Sequence, residues 1–167
     1  MRTLRVALAI LAAGCASAPP PIPLVGEPEA LNALAGNWAG TYRGIDSRRD
    51  GSISFSLRAG DTVAYGDVLM IPVGYENHNV WNDRERHAGA TPPHPAVLTV
   101  AFVGVSDGHV TGMLDPYTDP DCNCLVITVF SGRLKDANTL EGTFLTRAPG
   151  SAESRRGVWR VTRQVQK

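Results

Sequence analysis

The chain has 167 residues, of which 16 are basic and 16 are acidic, so its formal net charge at neutral pH is zero. Proteins that bind nucleic acid usually carry a basic face, and the scattered charges here argue against such a partner. The adjacent basic pairs are Arg48-Arg49 and Arg155-Arg156, and each lies beside turn-forming residues. We interpret both pairs as solvated loop tips.

The N-terminus has the layout of a secretory signal. Arg2 and Arg5 precede an apolar run that ends in small residues at Gly14. This run is shorter than the roughly 20 apolar residues that a membrane-spanning helix needs, and prolines follow it. We therefore expect residues 1–14 to be removed, which leaves 14 basic and 16 acidic residues and a formal charge of −2.

The sequence Ala12-Ala13-Gly14-Cys15 resembles the signal of bacterial lipoproteins, although Ala12 stands where that family usually has leucine. The resemblance implies that Cys15 is acylated and becomes the new N-terminus. Several acyl chains would hold the protein firmly on a membrane. Ala16 after the cysteine implies the outer membrane of a Gram-negative cell, facing the periplasm. The alternative is an ordinary cleaved signal with Cys15 as a passive residue.

A proline-rich segment follows the cysteine. Residues 16–30 read ASAPPPIPLVGEPEA and hold five of the twelve prolines. Such a composition predicts a semi-rigid extended spacer. We therefore assign residues 15–30 to the lipidated cysteine and its tether, and residues 31–167 to one folded domain, a length typical of single domains.

The domain shows short alternating apolar and polar segments joined by turn residues, which predicts an all-β fold. The clearest segment is SISFSL at Ser52 to Leu57, with apolar residues on one face and serines on the other. Eight strands are predicted, near Asn37 to Ile45, Ser52 to Arg58, Thr62 to Ile71, Ala96 to Ser106, His109 to Asp115, Leu125 to Leu134, Thr139 to Arg147 and Gly157 to Val165. The short connections favour pairing of sequence neighbours.

Glycines recur two residues before a large apolar residue, as in Gly132 with Leu134 and Gly142 with Phe144. Glycine weakens an ordinary strand, so this pattern indicates bends or close packing in a sheet that curls on itself. We predict an eight-stranded antiparallel up-and-down β-barrel, whose interior would hold side chains or one small ligand. A β-sandwich with bulges is the alternative.

The start of the first predicted strand, Gly36-Asn37-Trp38, resembles the Gly-x-Trp of the lipocalins and related small barrels, and avidin-like barrels are equally fair comparators. In lipocalins an arginine near the end of the barrel packs over this tryptophan. The resemblance therefore implies that Arg160 or Arg163 covers Trp38, by a cation–π contact worth about 0.5–2 kcal/mol. Ligand binding is implied by analogy alone.

The longest interruption between strands, Pro72 to Pro95, contains Tyr75 and Trp81, which are candidates to cover a ligand at the barrel mouth. A loop that runs over the protein surface, with its aromatic side chains against the barrel end, is the simpler interpretation. Its histidines, His78, His87 and His94, match no compact pair of metal ligands, and we expect no metal site and no cofactor.

The segment DPYTDPDCNC, Asp115 to Cys124, concentrates carboxylates and thiols but matches no zinc pattern. If Cys15 is acylated, Cys122 and Cys124 remain as the two free cysteines. A disulfide between them is the first candidate in an oxidising compartment, and a turn at Asn123 would bring them together. Free thiols and a metal site stay open as alternatives, with a redox or metal protein as the corresponding function.

No motif of a hydrolase or of a phosphate-binding loop is present, so we expect no enzyme. The first hypothesis is a membrane-anchored lipoprotein whose barrel binds a small apolar or amphipathic ligand. The rival is an accessory module with a filled barrel that docks on a larger envelope or membrane protein assembly. The two hypotheses differ in what they require of the barrel interior. If Phe55, Phe102, Phe144 and Trp159 fill the lumen, the barrel has no room for a ligand.

Overall fold

The structure is a computed structural model that describes residues 21–47, 49–71, 95–120 and 122–165. Within these ranges the chain forms eleven strands and one short helix. In chain order they are β1 Pro21–Gly26, α1 Pro28–Asn32, β2 Gly36–Gly44, β3 Asp50–Leu57, β4 Val63–Ile71, β5 Ala96–Leu98, β6 Val100–Ser106, β7 His109–Leu114, β8 Tyr117–Asp119, β9 Cys124–Asp136, β10 Thr139–Arg147 and β11 Arg155–Gln164. The one described helix, α1, is far too short to cross a membrane.

Nine of these strands close into a barrel. The order around the barrel is β1, β6, β7, β9, β10, β11, β2, β3, β4, and β4 pairs with β1 to complete the ring. All neighbours are antiparallel except β1 and β6, which run parallel. The two remaining strands pair on single edges, β5 with β4 and β8 with β9.

Alternation of side chains explains why these segments are strands. In β11 the residues at Gly157, Trp159 and Val161 are buried, and those between them are exposed. Because successive side chains in a strand point to opposite faces, one set points into the barrel and the other faces solvent. The all-β barrel predicted from the sequence is therefore present.

The predicted strand number and topology were wrong. All eight predicted segments are extended, and the one at Ala96 to Ser106 divides at Thr99 into β5 and β6. The difference comes from β1, which enters between β4 and β6. Its first half pairs with β4 through Ile22 opposite Ala64, and its second half pairs with β6 through Leu24 opposite Val103. The barrel consequently has nine strands and is mixed, not eight-stranded and purely antiparallel.

The same strand corrects the predicted tether over residues 15–30. Ile22 and Leu24 are both buried in the core, although Pro21 and Pro23 alternate with them. Proline lacks the backbone N–H that a central strand donates, so the composition indicated a spacer. The backbone N–H of Leu24 donates to the carbonyl of Thr62 at 2.8 Å, and the proline positions face outward. The folded domain therefore begins by residue 21.

Replacing Leu24 by alanine tests this assignment. We expect the free energy of unfolding to fall by about 2 kcal/mol or more, because a buried leucine loses both transfer energy and packing. Val25→Ala, at the exposed neighbouring position, should change it by less than about 0.5 kcal/mol. Urea unfolding of the two variants is the measurement. A flexible tether at this position predicts small and equal effects for both.

Five inward glycines lie directly opposite aromatic residues on a neighbouring strand. Cross-strand partners are Gly51 with Tyr42, Gly66 with Phe55, Gly112 with Phe130, Gly142 with Trp159 and Gly157 with Phe144. At each of these glycines a Cβ atom would overlap the aromatic residue opposite. The rings of Tyr42, Phe130, Phe144 and Trp159 thus lie against the wall of the barrel, and the glycines opposite them provide the space.

Candidate functional site

The interior of the barrel contains a cavity of about 160 Å³. Its walls are mainly apolar and come from opposite sides of the barrel, with Ile53, Val68, Val103, Leu140 and Val161 among the lining residues. Leu140 and Val161 are almost fully buried. The cavity is therefore an internal feature of the barrel, and its two ends differ in chemistry.

One end, which we call the Trp38 end, is closed by α1 and the start of β2. The indole Nε1 of Trp38 donates to the carbonyl of Leu34 at 2.8 Å, and the indole stacks on Phe55 with 5.8 Å between ring centroids. Leu31 on α1 and Leu34, two residues after the helix, are both buried. This end is packed with apolar side chains and sealed.

Arg163 covers the outside of the Trp38 end. Its guanidinium carbon lies 4.4 Å from the centroid of the Trp38 ring. Its nitrogens donate to the carbonyls of Ala33, Ala35 and Ala137, which ties α1 and the turn before β10 to the last strand. Of the two arginines proposed from the lipocalin resemblance, Arg163 makes the contact with Trp38, whereas Arg160 is exposed on the outer face of β11.

The opposite end, which we call the Arg49 end, carries a buried charged cluster. The guanidinium of Arg49 binds both carboxylate oxygens of Asp119, with distances of 2.8 and 2.5 Å. The side chains of Arg49 and Asp119 are 7% and 2% exposed. Arg155 approaches the same carboxylate at 3.4 Å and is partly exposed. The geometry is bidentate, which makes this a strong, charge-assisted pair.

A chain of hydroxyl groups lies beside the charged cluster. The Tyr117 hydroxyl is 3.1 Å from Thr128 Oγ1, which is 2.7 Å from Thr146 Oγ1. The two threonines are buried, and all three residues line the cavity. The Arg49 end is therefore polar inside the barrel, while the rest of the cavity wall is apolar.

The segment before β9 is held to the Arg49 end. Cys122 and Cys124 form a disulfide, with their Cα atoms 5.1 Å apart. Asn123 between them has a φ of 48°, the left-handed conformation that asparagine tolerates well. This turn shortens the separation below that of an extended chain. Asp119 lies on β8, which pairs with the start of β9, so the disulfide closes the turn that positions Asp119.

The disulfide leads to a prediction for thiol titration. If Cys15 is acylated, the processed protein should show no reactive thiol before reduction and two after it, because the acyl-bearing sulfur of Cys15 would not react. Titration with an aromatic disulfide reagent in denaturant measures this. Two thiols that react without reduction would contradict the disulfide, and a third after reduction would show that Cys15 is unmodified.

Several predicted residues fall outside the described residues, namely Cys15, Tyr75, Trp81 and the rest of 72–94. The residues flanking that segment, Ile71 and Pro95, both lie at the Arg49 end. Of the four aromatics named as possible fillers of the lumen, Phe55, Phe144 and Trp159 line the cavity. Phe102 is 40% exposed and faces outward.

Sequence reasoning missed the charged cluster. Arg49 was interpreted as a solvated loop tip, and this interpretation was wrong because Arg49 is 6% exposed. Asp119 was considered only as a metal ligand. The two residues are 70 positions apart in the chain, so no local pattern could pair them. The alternation of Tyr117 with Asp119 in DPYTDPDCNC was the available sign of a strand there.

No group of three or more histidine, cysteine, aspartate or glutamate side chains lies together as a metal site in the part of the chain that the structure describes. Comparisons with models of protein families and with curated proteins find no match to this chain.

Proposed function

We propose that the protein is a membrane-anchored lipoprotein whose barrel binds a small apolar or amphipathic molecule in its central cavity. The observation that carries this proposal is the apolar cavity of about 160 Å³ between a sealed end and a polar end. An engineered cavity of about 150 Å³ with similar apolar walls stays dry and binds benzene. A ligand the size of one aromatic ring or a short hydrocarbon chain fits this space.

The arrangement of the aromatic residues supports binding in the lumen. Because Phe144 and Phe130 lie over glycines of neighbouring strands, their rings occupy the wall. The polar groups at the Arg49 end offer hydrogen bonds to a polar head, and the walls offer contact to an apolar body. An amphipathic ligand would enter with its polar group toward Arg49 and Tyr117.

The proposed location rests on the N-terminal signal. Acylation of Cys15 would place the barrel on the outer membrane of a Gram-negative cell, facing the periplasm. The contact between Trp38 and Arg163 supports a relation to lipocalin-like barrels, with β1 as an added strand. In this proposal the protein is not an enzyme, and it uses no metal, cofactor or nucleic acid.

A second candidate function is docking on an envelope or membrane protein assembly. It is favoured by Leu125 and Val129, which are exposed on the outer face of β9 next to the disulfide segment. Exposed apolar residues that cluster mark interaction surfaces. This function needs no ligand in the barrel.

Native mass spectrometry of the protein purified from its own host tests ligand binding. We expect a co-purifying molecule bound at one copy per chain. Ala64→Leu adds volume to the cavity wall and should remove this molecule, whereas Ala39→Leu, the same change on the outer face of β2, should retain it. A chain that carries no molecule, or one that keeps it in the Ala64 variant, would refute the proposal and favour docking.

A further inference from the structure

The outer surface of the barrel around β1 is apolar and nearly uncharged. Val25 on β1, Tyr65 on β4, Val97 on β5 and Phe102 on β6 are between 40% and 66% exposed. These four strands are neighbours in the sheet. We call the outward side of the four strands the β1 face. No described residue covers it.

Charge is distributed unequally around the barrel. In β1, β4, β5 and β6 the one charged residue is Asp67. By contrast, β2 and β9 to β11 contain ten charged residues, namely Arg43, Arg133, Lys135, Asp136, Glu141, Arg147, Arg155, Arg156, Arg160 and Arg163. In the ring order β10 and β11 lie opposite β1. The barrel is therefore amphipathic, with the β1 face as its apolar side.

The position of Pro21 restricts how the barrel can meet a membrane. Pro21 begins β1 and pairs with Tyr65, so the chain enters the barrel within the β1 face. Six residue steps separate Cys15 from Pro21, and a fully extended chain of this length reaches at most about 21 Å. The barrel thus lies close to a membrane that holds Cys15.

The length of the segment from Cys15 to Pro21 also excludes the charged side of the barrel as the surface that contacts the membrane. From β1 the shorter way around the ring is four strand spacings to β10 and four to β11, each about 4.8 Å. Even at the level of the backbone this path takes about 20 Å, which would use the whole tether before it reached a bilayer. The apolar side chains near Pro21 can contact the bilayer without the tether passing around the barrel.

We propose that the β1 face rests on the membrane surface, with Val25, Tyr65, Val97 and Phe102 in contact with lipid. This inference rests on the proposed acylation of Cys15. Side chains of this kind bind the boundary between headgroups and acyl chains by burying apolar area. The anchor and the face then act together, and the barrel has a fixed orientation on the bilayer.

Nitroxide labels on the acylated protein test the orientation. A label at Val97→Cys reports on the β1 face, and one at Val158→Cys, on β11, is the matched control because both are exposed valines facing outward. The protein is placed in vesicles of phosphatidylethanolamine and phosphatidylglycerol. Collision rates with oxygen, which concentrates in lipid, and with a water-soluble nickel complex are then compared.

We expect the ratio of oxygen to nickel collisions to be several-fold higher at position 97 than at position 158. In Cys15→Ser protein without acyl chains the two ratios should be equal. Equal ratios in the acylated protein, a higher ratio at 158, or a label at 97 that is immobile without lipid contact would each overturn the inference. Mass spectrometry of the N-terminal peptide separates the causes, since an unmodified Cys15 refutes the proposed anchor and this inference with it.

Discussion

Replacing Arg49 by leucine is expected to lower the free energy of unfolding by about 3–5 kcal/mol. The carboxylate of Asp119 is buried and receives two hydrogen bonds from the Arg49 guanidinium. Without Arg49, the carboxylate keeps Arg155 as a neighbouring cation among the described residues, and Arg155 is partly exposed and lies 3.4 Å away. The loss is large because a buried carboxylate remains after its bidentate partner is removed.

The double variant Arg49→Leu, Asp119→Leu gives the informative comparison. Replacing a whole buried ion pair by apolar side chains is often neutral or stabilising. The double variant should therefore recover most of the free energy of unfolding that the Arg49 single variant loses. Arg147→Leu, an exposed arginine at the same end of the barrel, should change stability by less than about 0.5 kcal/mol. Urea unfolding followed by tryptophan fluorescence measures all three. An Arg49 variant that loses less than about 1 kcal/mol would mean that the pair is solvated.

Replacing Trp38 by alanine is the second change with a large expected effect, a loss of about 3–5 kcal/mol. Trp38 is 1% exposed, stacks on Phe55 and donates to the carbonyl of Leu34. Its removal would leave a cavity at the sealed end of the barrel. Thermal or urea unfolding of the variant measures the loss, and a wild-type midpoint would contradict the described packing.

A double-mutant cycle isolates the contribution of Arg163 to this end. Trp38→Leu combined with Arg163→Met should show a coupling free energy of about 0.5–2 kcal/mol, the range of a cation–π contact. The same cycle with Arg160→Met is the matched control, because Arg160 is exposed on the outer face of the same strand. Coupling of equal size in both cycles would contradict the contact between Arg163 and Trp38.

Local sequence patterns were sufficient to predict most of the strands. The alternation at SISFSL and at Gly157 to Val161 places one face of each strand inside, and turn residues mark where the strands end. The glycines also carried information, because an inward glycine leaves room for the aromatic ring on the next strand. Their repetition in the sequence indicates a curled sheet.

The residues that sequence reasoning missed depend on long-range contacts. The composition of β1 is that of a spacer. It forms a strand because it pairs with the edges of β4 and β6. Arg49 has the local sequence of an exposed turn, and burial follows from Asp119 far along the chain. Arg163 reaches Trp38 because it has the same alternation in β11 as the buried Trp159 and Val161, whereas Arg160 lies on the exposed face. The sequence pattern contained this distinction, but the contacts of Arg163 with the residues after α1 and with the turn before β10 appear only in the fold.

The central claim is that the closed barrel holds an apolar cavity able to bind a small molecule. Titration of the methyl-labelled protein with benzene, followed by two-dimensional NMR, tests it most directly. We predict saturable shifts at the inward methyl groups of Leu140 and Val161, and none at the outward Val129 and Val158. Shifts confined to the outward methyl groups, or no saturable shift at any methyl group, would contradict the account.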